Sequence, residues 1–362
     1  MRKKMDFILL IDILVLVAFG LLMVFSASNV VANYKYSDAF YYFKRQLIFG
    51  FVGIFLMYFI SRIDLQKIYK LTFIIFFVSI LLLALVLIPG IGSVRGGARS
   101  WIGFGIFSIQ PAEFAKIACV LFLARFLSNN YQEMTKFRYF LFLLMIVGVI
   151  FGIIMLQPDF GTGLVLVLTC IALIFLSGAK MKFFIFLGIV GVALFIGLII
   201  SAPYRLERIF SFIDPWQDPL GSGFQGIQSL FAVAPSGIFG FGYNNSIQKH
   251  FFLPEPQNDF IFAIITEELG LFGGVFLLSL YFILFIRGFR ISIRVNNIYK
   301  AFLARGITCM ILIQVIINIC VVIGLLPITG ITLPFISYGG SSLVMTLMSV
   351  GILLNISRDQ LY

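Results

Sequence analysis

Ten times along this chain the side chains turn apolar for sixteen residues or more: near 7 to 26, 46 to 61, 71 to 89, 112 to 127, 139 to 156, 162 to 178, 183 to 202, 260 to 286, 302 to 326 and 336 to 355. About 20 apolar residues in a helix cross a bilayer, and no soluble core has room for so many such runs. With 61% hydrophobic and 11% charged residues in 362, the chain is expected to be an all-α polytopic membrane protein of about ten transmembrane helices. One membrane domain accounts for residues 1 to 362. The first run follows Arg2, Lys3 and Lys4 as a signal peptide would, but no small-residue cleavage pattern comes after it, so it reads as a retained helix. Cys119, Cys170, Cys309 and Cys320 all lie inside apolar runs, which makes them core residues and sets aside disulfide and zinc readings.

A net charge of +11 would suit a nucleic-acid partner, but here the basic residues are scattered among short loops, the pattern that orients a membrane protein. With both termini in the cytoplasm, 17 of the 26 Lys and Arg fall in inner loops and ends, and nine fall outside. That orientation places 90 to 111, 157 to 161, 203 to 258 and 327 to 340 on the outer side. The long loop 203 to 258, between the seventh and eighth spans, is expected to be ordered. It carries Trp216 and the turn signals Asp214-Pro215 and Asp218-Pro219, and Phe224, Ile227, Leu230 and Phe231 recur at helical spacing. Ser246 in this loop is expected to answer a reagent applied from outside.

Within the outer segments, Leu253 to Gly270 (LPEPQNDFIFAIITEELG) carries a polar approach into a hydrophobic helix and sets Asp259 where water gives way to hydrocarbon. Asp259 reads either as a helix N-cap or, because partial burial raises a carboxyl pKa, as a general base. Gln110 to Lys116 (QPAEFAK) repeats the ambiguity: Pro111 and Glu113 suit a helix start, and Lys116 one turn on needs a partner inside the membrane. An internal Glu113 to Lys116 salt bridge and a substrate-facing lysine both fit. Arg95 and Arg99 flank a glycine-rich stretch beside Trp101, and Arg205 and Arg208 open the long loop; guanidinium forks suit phosphate, and lipid headgroups would attract them equally.

Asp159, in the turn Gln157-Pro158-Asp159-Phe160-Gly161, either caps the next helix or joins the site. Ser337 and Ser341, in LPFISYGGSS, put small residues at a helix entrance where backbone N–H groups meet an anion or helices pack closely. Glu267, Glu268 and Asp12 must face the protein interior, because a charge at mid-membrane costs about 2.5–3.5 kcal/mol. They serve either an ion path or helix locking. His250 is the only histidine, which excludes multi-histidine metal sites.

Taken together these motifs resemble the SEDS family of bacterial cell-wall proteins, which includes FtsW, RodA and SpoVE. The resemblance runs through GARSWIGFGIFSIQPAEFAK (97 to 116), QPDFGT (157 to 162), DPLGSGFQGIQS (218 to 229), LPEPQNDFIFAIITEELG and GITLPFISYGGSSL (330 to 343). IDPWQDP (213 to 219) with NSIQK (245 to 249) looks closer to the FtsW and SpoVE branch. Ala112, Asn258 and Ala234-Pro235 depart from the usual Ser, Thr and glycine-rich pair, away from the charged positions.

The resemblance implies a ten-helix peptidoglycan glycosyltransferase that polymerises lipid II on the outer face of the bacterial cytoplasmic membrane. A class B penicillin-binding protein, other divisome or elongation proteins and membrane lipids are the implied partners, with no nucleic acid. The family's catalytic aspartate falls on Asp259, and its functionally important Arg, Glu, Lys and Asp positions fall on Arg99, Glu113, Lys116 and Asp159. Asp259 is then the base for an acceptor hydroxyl, and Arg95, Arg99, Lys116, Arg205 and Arg208 meet the departing diphosphate. No cofactor is called for, although a divalent cation, Mg2+ or Mn2+, would assist, and the sequence shows no dedicated ligand cluster. The alternative is a lipid II flippase without bond chemistry, drawing on Asp12, Glu267 and Glu268.

Overall fold

The apolar runs become long helices wherever a capping residue or a proline opens them. A computed structural model describes residues 5–95, 98–104, 107–200, 212–221 and 223–360. Its long helices are α1 (Phe7–Tyr36), α2 (Tyr41–Ile60), α3 (Leu65–Val86), α4 (Pro111–Asn129), α5 (Phe137–Met155), α6 (Phe160–Leu176) and α7 (Met181–Ile200). A short α8 (Phe224–Val233) precedes α9 (Ile261–Arg294), α10 (Ile298–Val322) and α11 (Gly340–Ser357). Asp6, Asp64, Asp159 and Asn297 cap α1, α3, α6 and α10 through their side chains, and Pro111 opens α4. The ten long helices fall on the ten apolar runs in order, and α8 falls on the predicted spacing in the long loop.

Among the described residues, seven helices are long and apolar enough to cross a membrane. α6 is a residue short of that length, at 17, and α4 carries Glu113, Lys116 and Arg125. Burial explains how α4 keeps Glu113 and Lys116, while half-buried Arg125 donates to the Tyr69 carbonyl at 2.6 Å. Much of the central stretch of α10 and α11 is buried, 67% and 72%, against 22% and 28% for α3 and α5. α10 and α11 are therefore the core, with α4 and α6 against α10, while α3 and α5 turn Phe73, Phe77, Met145 and Val149 outward to lipid.

Two features depart from a plain helix bundle. The stretch expected as a glycine-rich loop is a three-stranded antiparallel sheet, β1 (Gly92–Arg95), β2 (Ala98–Phe104) and β3 (Phe107–Ile109), in the order β1-β2-β3. Arg95 pairs with Ala98, so the Gly96-Gly97 dipeptide between them in sequence is of the kind that tight hairpins use. The second departure is a break in α9 at Gly270, whose φ of 66° and ψ of −160° are not helical. A Cβ there would strike the carbonyl of Ile238 and the N–H of Gly240, so only glycine lets this backbone and the long loop touch.

Candidate active site

Polar groups gather at one end of the bundle, where the sheet, the 157–161 turn, the start of α9 and the 329–339 segment meet. Lys116 sits one turn into α4 and is 3% exposed; its Nζ lies 2.9 Å from Glu113 Oε1 and donates to Gln314 Oε1 at 2.8 Å. The expected Glu113 to Lys116 salt bridge is therefore present, and α10 supplies a third member. Gln314 in turn donates to the Thr332 carbonyl at 2.9 Å. One turn further along α10, Asn318 donates through one nitrogen to the carbonyls of Asp259 and Ile331, at 2.7 Å each. A single face of α10 thus ties the Lys116 pair, the main chain at Asp259 and the 331–332 segment into one unit.

Asp259 is not a helix cap. α9 begins after Phe260, its N-cap residue, and no side chain closes that end. The carboxyl is half-buried at the mouth of the bundle, and burial pushes it up to about 7; a bond from its own backbone N–H opposes the rise and the nearby Glu255 charge adds to it. A carboxyl with that value accepts a proton at neutral pH and returns it easily, as a general base must.

Surrounding bonds hold this arrangement. Gln110 donates to Asp159 Oδ2 at 2.6 Å, while Asp159 Oδ1 accepts from the Thr162 N–H at 3.1 Å. Asp159 is thus a cap that also fastens α6 to the start of α4. A Cβ on Gly161 would strike the Thr329 carbonyl, so this turn presses directly on the 329–333 segment. Gln46 of α2 donates to the Ser337 carbonyl at 2.9 Å and accepts from the Gly339 N–H at 3.3 Å. Tyr338 N–H donates to the Gln257 carbonyl at 2.8 Å, two residues before Asp259.

Ser337 and Ser341 lie at the entrance to α11, where the sequence places them. Ser337 Oγ accepts from the Leu333 N–H at 2.8 Å and closes a turn, and Ser341 is buried in the first turn of α11. The turn engages the Leu333 and Gly339 N–H groups, while Ser341 Oγ is buried and has no hydrogen-bond partner among the described residues.

Glu267 and Glu268 do face the interior, as clasps for the long loop. Glu268 accepts from Ser26 Oγ (2.6 Å), the Asn244 N–H (2.9 Å) and Lys249 Nζ (3.2 Å). Glu267 accepts from Ser246 Oγ (2.5 Å) and the N–H groups of Ile247 (2.8 Å) and Gln248 (3.2 Å). Ser246, expected to be reachable, is only 1% exposed for this reason. Asp12 is buried in α1 and, among the described residues, neither carboxylate oxygen has a hydrogen-bond partner.

Arg99 is half-buried on β2 beside Gly92, whose added Cβ would lie 3.0 Å from Arg99 Cγ. Arg95 ends β1, while its side chain, like Arg205 and Arg208 altogether, lies outside the described residues. Among the described residues no three His, Cys, Asp or Glu side chains group as metal ligands.

Gln314, Asn318 and Gln46 were not singled out from the sequence. The signal was there: two amides four residues apart on one face of an apolar span, and a third near the start of another, are polar groups that a membrane helix keeps only with partners.

The comparisons agree with one another. Residues 6–362 match the family model described as cell cycle protein, FtsW/RodA/SpoVE. Stage V sporulation protein E of Bacillus subtilis (strain 168) is 54% identical over 362 residues, 100% of this chain and 99% of that protein. The probable peptidoglycan glycosyltransferase FtsW of Coxiella burnetii (strain RSA 493 / Nine Mile phase I) is 43% identical, over 95% of this chain and 94% of its own. Among solved structures, a chain from a study of structural coordination of polymerization and crosslinking by a peptidoglycan synthase complex superposes with a TM-score of 0.82 at 30% identity, covering 98% of each chain. The rod shape determining protein RodA of Thermus thermophilus superposes at 0.71 with 25% identity, over 99% of this chain and 98% of its own. With the profile matched almost from end to end and more than half of its residues shared with a full-length relative, this polytopic chain belongs to the FtsW/RodA/SpoVE family.

Proposed function

We propose that this protein is a peptidoglycan glycosyltransferase that polymerises lipid II, with Asp259 as the general base. One observation carries the reading: a carboxyl raised to about 7 stands at the mouth of the bundle, and its main chain is fastened to the same face of α10 that holds the buried Lys116. The acceptor sugar hydroxyl attacks the anomeric carbon, the new glycosidic bond forms, and the bond from that carbon to the diphosphate oxygen breaks. Polyprenyl diphosphate leaves with the bonding pair, and the hydroxyl proton passes to Asp259. Positive charge on the Lys116 side, with Arg99 on the adjoining sheet, favours the diphosphate as it departs. Relatives named as probable peptidoglycan glycosyltransferases support the chemistry.

A divalent cation, Mg2+ or Mn2+, fits only as one shared with substrate. Asp259 and the buried amide oxygens Gln257 Oε1 and Asn318 Oδ1, which have no hydrogen-bond partner among the described residues, are oxygen donors of the kind such ions prefer, and the ion would neutralise diphosphate charge. The site faces outward from the cytoplasmic membrane with both termini inside, as the Lys and Arg distribution favours. A class B penicillin-binding protein is the partner this reading calls for, in keeping with the synthase complex that contains a similar chain. Transport without bond chemistry would draw on Glu267 and Glu268, whose oxygens are already engaged by the loop. The test is purified protein with its partner, fed lipid II, with glycan chains read on gels. Polymer from the natural chain and a drop of about 10²–10⁴-fold for Asp259→Asn are expected; translocated lipid II without polymer refutes the proposal.

A further inference from the structure

Bonds lead away from Asp259 in two directions. On one side they run through Asn318 and Gln314 to Lys116 and Glu113. On the other, Gln257 meets Tyr338, and from there a group of aromatic rings at the α1–α2 turn begins. Tyr338 stands edge-on to Tyr42 at 4.9 Å. Tyr36 and Tyr41 stack at 3.7 Å and 9° between planes, and the Arg45 guanidinium lies 4.1 Å over the Tyr41 ring. Gln46, next in sequence, grips both sides of Tyr338 by its bonds to residues 337 and 339. Tyr36 is 46% exposed and Tyr41, Tyr42, Arg45 and Tyr338 are half-buried, so the group is fixed by packing and open to solvent.

We propose that this aromatic group is the saccharide subsite that holds the acceptor sugar beside Asp259, an inference that rests on the glycosyltransferase reading. Pyranose rings have a flat face of C–H bonds and a rim of hydroxyls, and tyrosine has the matching apolar face and polar tip. Arg45 has a fork of donors suited to a carboxylate on the sugar or its peptide. Glu255, within electrostatic reach of both Tyr42 and Asp259, places a carboxylate on this side, and the Lys44 charge is met by Asp38 at 2.8 Å. The two directions then divide the work, with diphosphate toward Lys116 and acceptor toward Tyr338. A tyrosine belt at the lipid headgroups is the rival role. Belt residues need no tight mutual stacking and no fastening to a catalytic segment.

The experiment uses the full chain in detergent and a lipid-free peptidoglycan tetrasaccharide as the probe, with binding followed by calorimetry. Measurable binding by the natural chain, a fivefold or greater loss with Tyr41→Ala and with Arg45→Gln, and retention with Tyr41→Phe and with Asp259→Asn are expected. No binding by the natural chain overturns the inference, as does undiminished binding by Tyr41→Ala. Equal losses for Tyr41→Ala and Tyr41→Phe with a lowered melting temperature also overturn it, because the ring then only supports the fold. So does an effect of Tyr41→Ala confined to stability in phosphatidylglycerol vesicles, which assigns the group to the lipid interface. A chain that binds the tetrasaccharide and makes no polymer from lipid II leaves this subsite standing and removes the glycosyltransferase reading instead.

Discussion

Replacing Lys116 by Met keeps the length and apolar surface of the stem and removes the ammonium. Glu113, 5% exposed, then loses a cation 2.9 Å away, and Gln314 Oε1 loses a donor at 2.8 Å. Stranding one member of a buried ion pair costs about 3–5 kcal/mol, whereas an average polar contact between membrane helices is worth about 0.6 kcal/mol. The larger figure applies, since both groups lie in packed protein and the partner left behind is charged. Adding Glu113→Gln removes the stranded charge, so the double variant is expected to regain part of the loss, a coupling of about 0.5–3 kcal/mol. Unfolding of the natural chain, the two single variants and the double variant in one detergent, followed by intrinsic fluorescence, measures it. Polymerisation by the double variant then separates the two roles of the pair: restored stability with activity still down a hundredfold assigns Lys116 to the diphosphate. A Lys116→Met protein as stable as the double variant would falsify the buried-pair energetics, and near-normal polymerisation by the double variant would remove Lys116 from the chemistry.

Because the Asp259 carboxyl rises from 3.8 to about 7 in the folded chain, the fold holds a proton through that window that the unfolded chain releases. Stability is therefore greatest at the acid end and falls as pH rises through the window, while activity rises toward pH 7 and levels off; Asp259→Asn is expected to lack this component of the stability profile in titrated unfolding. Asn318→Leu strands the buried carbonyls of Asp259 and Ile331, with about 1–3 kcal/mol lost for each unsatisfied group. Its turnover number should fall with little change in KM, and a proportional change in both would count against a positioning role. Leu220, 89% exposed in the long loop, is the residue to test sidedness. A cysteine there should react with an impermeant reagent in intact spheroplasts, a cysteine at Ser246 should stay silent, and reaction at Leu220→Cys only after lysis reverses the orientation.

The fold was legible because membrane spans announce themselves one by one through apolar length, whatever they pack against. α4 was legible in the same way even with Glu113, Lys116 and Arg125 on it. The candidate site was legible at its charges, since Asp259, Glu113, Lys116 and Asp159 stand out in so apolar a chain. What holds them was harder to see. Gln314 and Asn318 matter through bonds to main-chain carbonyls from distant segments, and such partners leave no mark in local sequence. The break at Gly270 was hidden for a related reason: a glycine within an apolar run signals a kink only once the loop that presses on it is known.

The clasp at Glu267 and Glu268 bears on how the chain is made. Residues 244–249 reach their final conformation by donating to two carboxylates that follow them by some twenty positions, and to a serine on the first helix. Synthesis delivers the amino-terminal side first. The long loop is therefore produced before the acceptors that order it exist, and it must wait, unfastened, until the next helix arrives and bends at Gly270. Its maturation is a closing step that follows insertion of α9, and a ribosome stalled before residue 267 should leave that loop open to proteolysis.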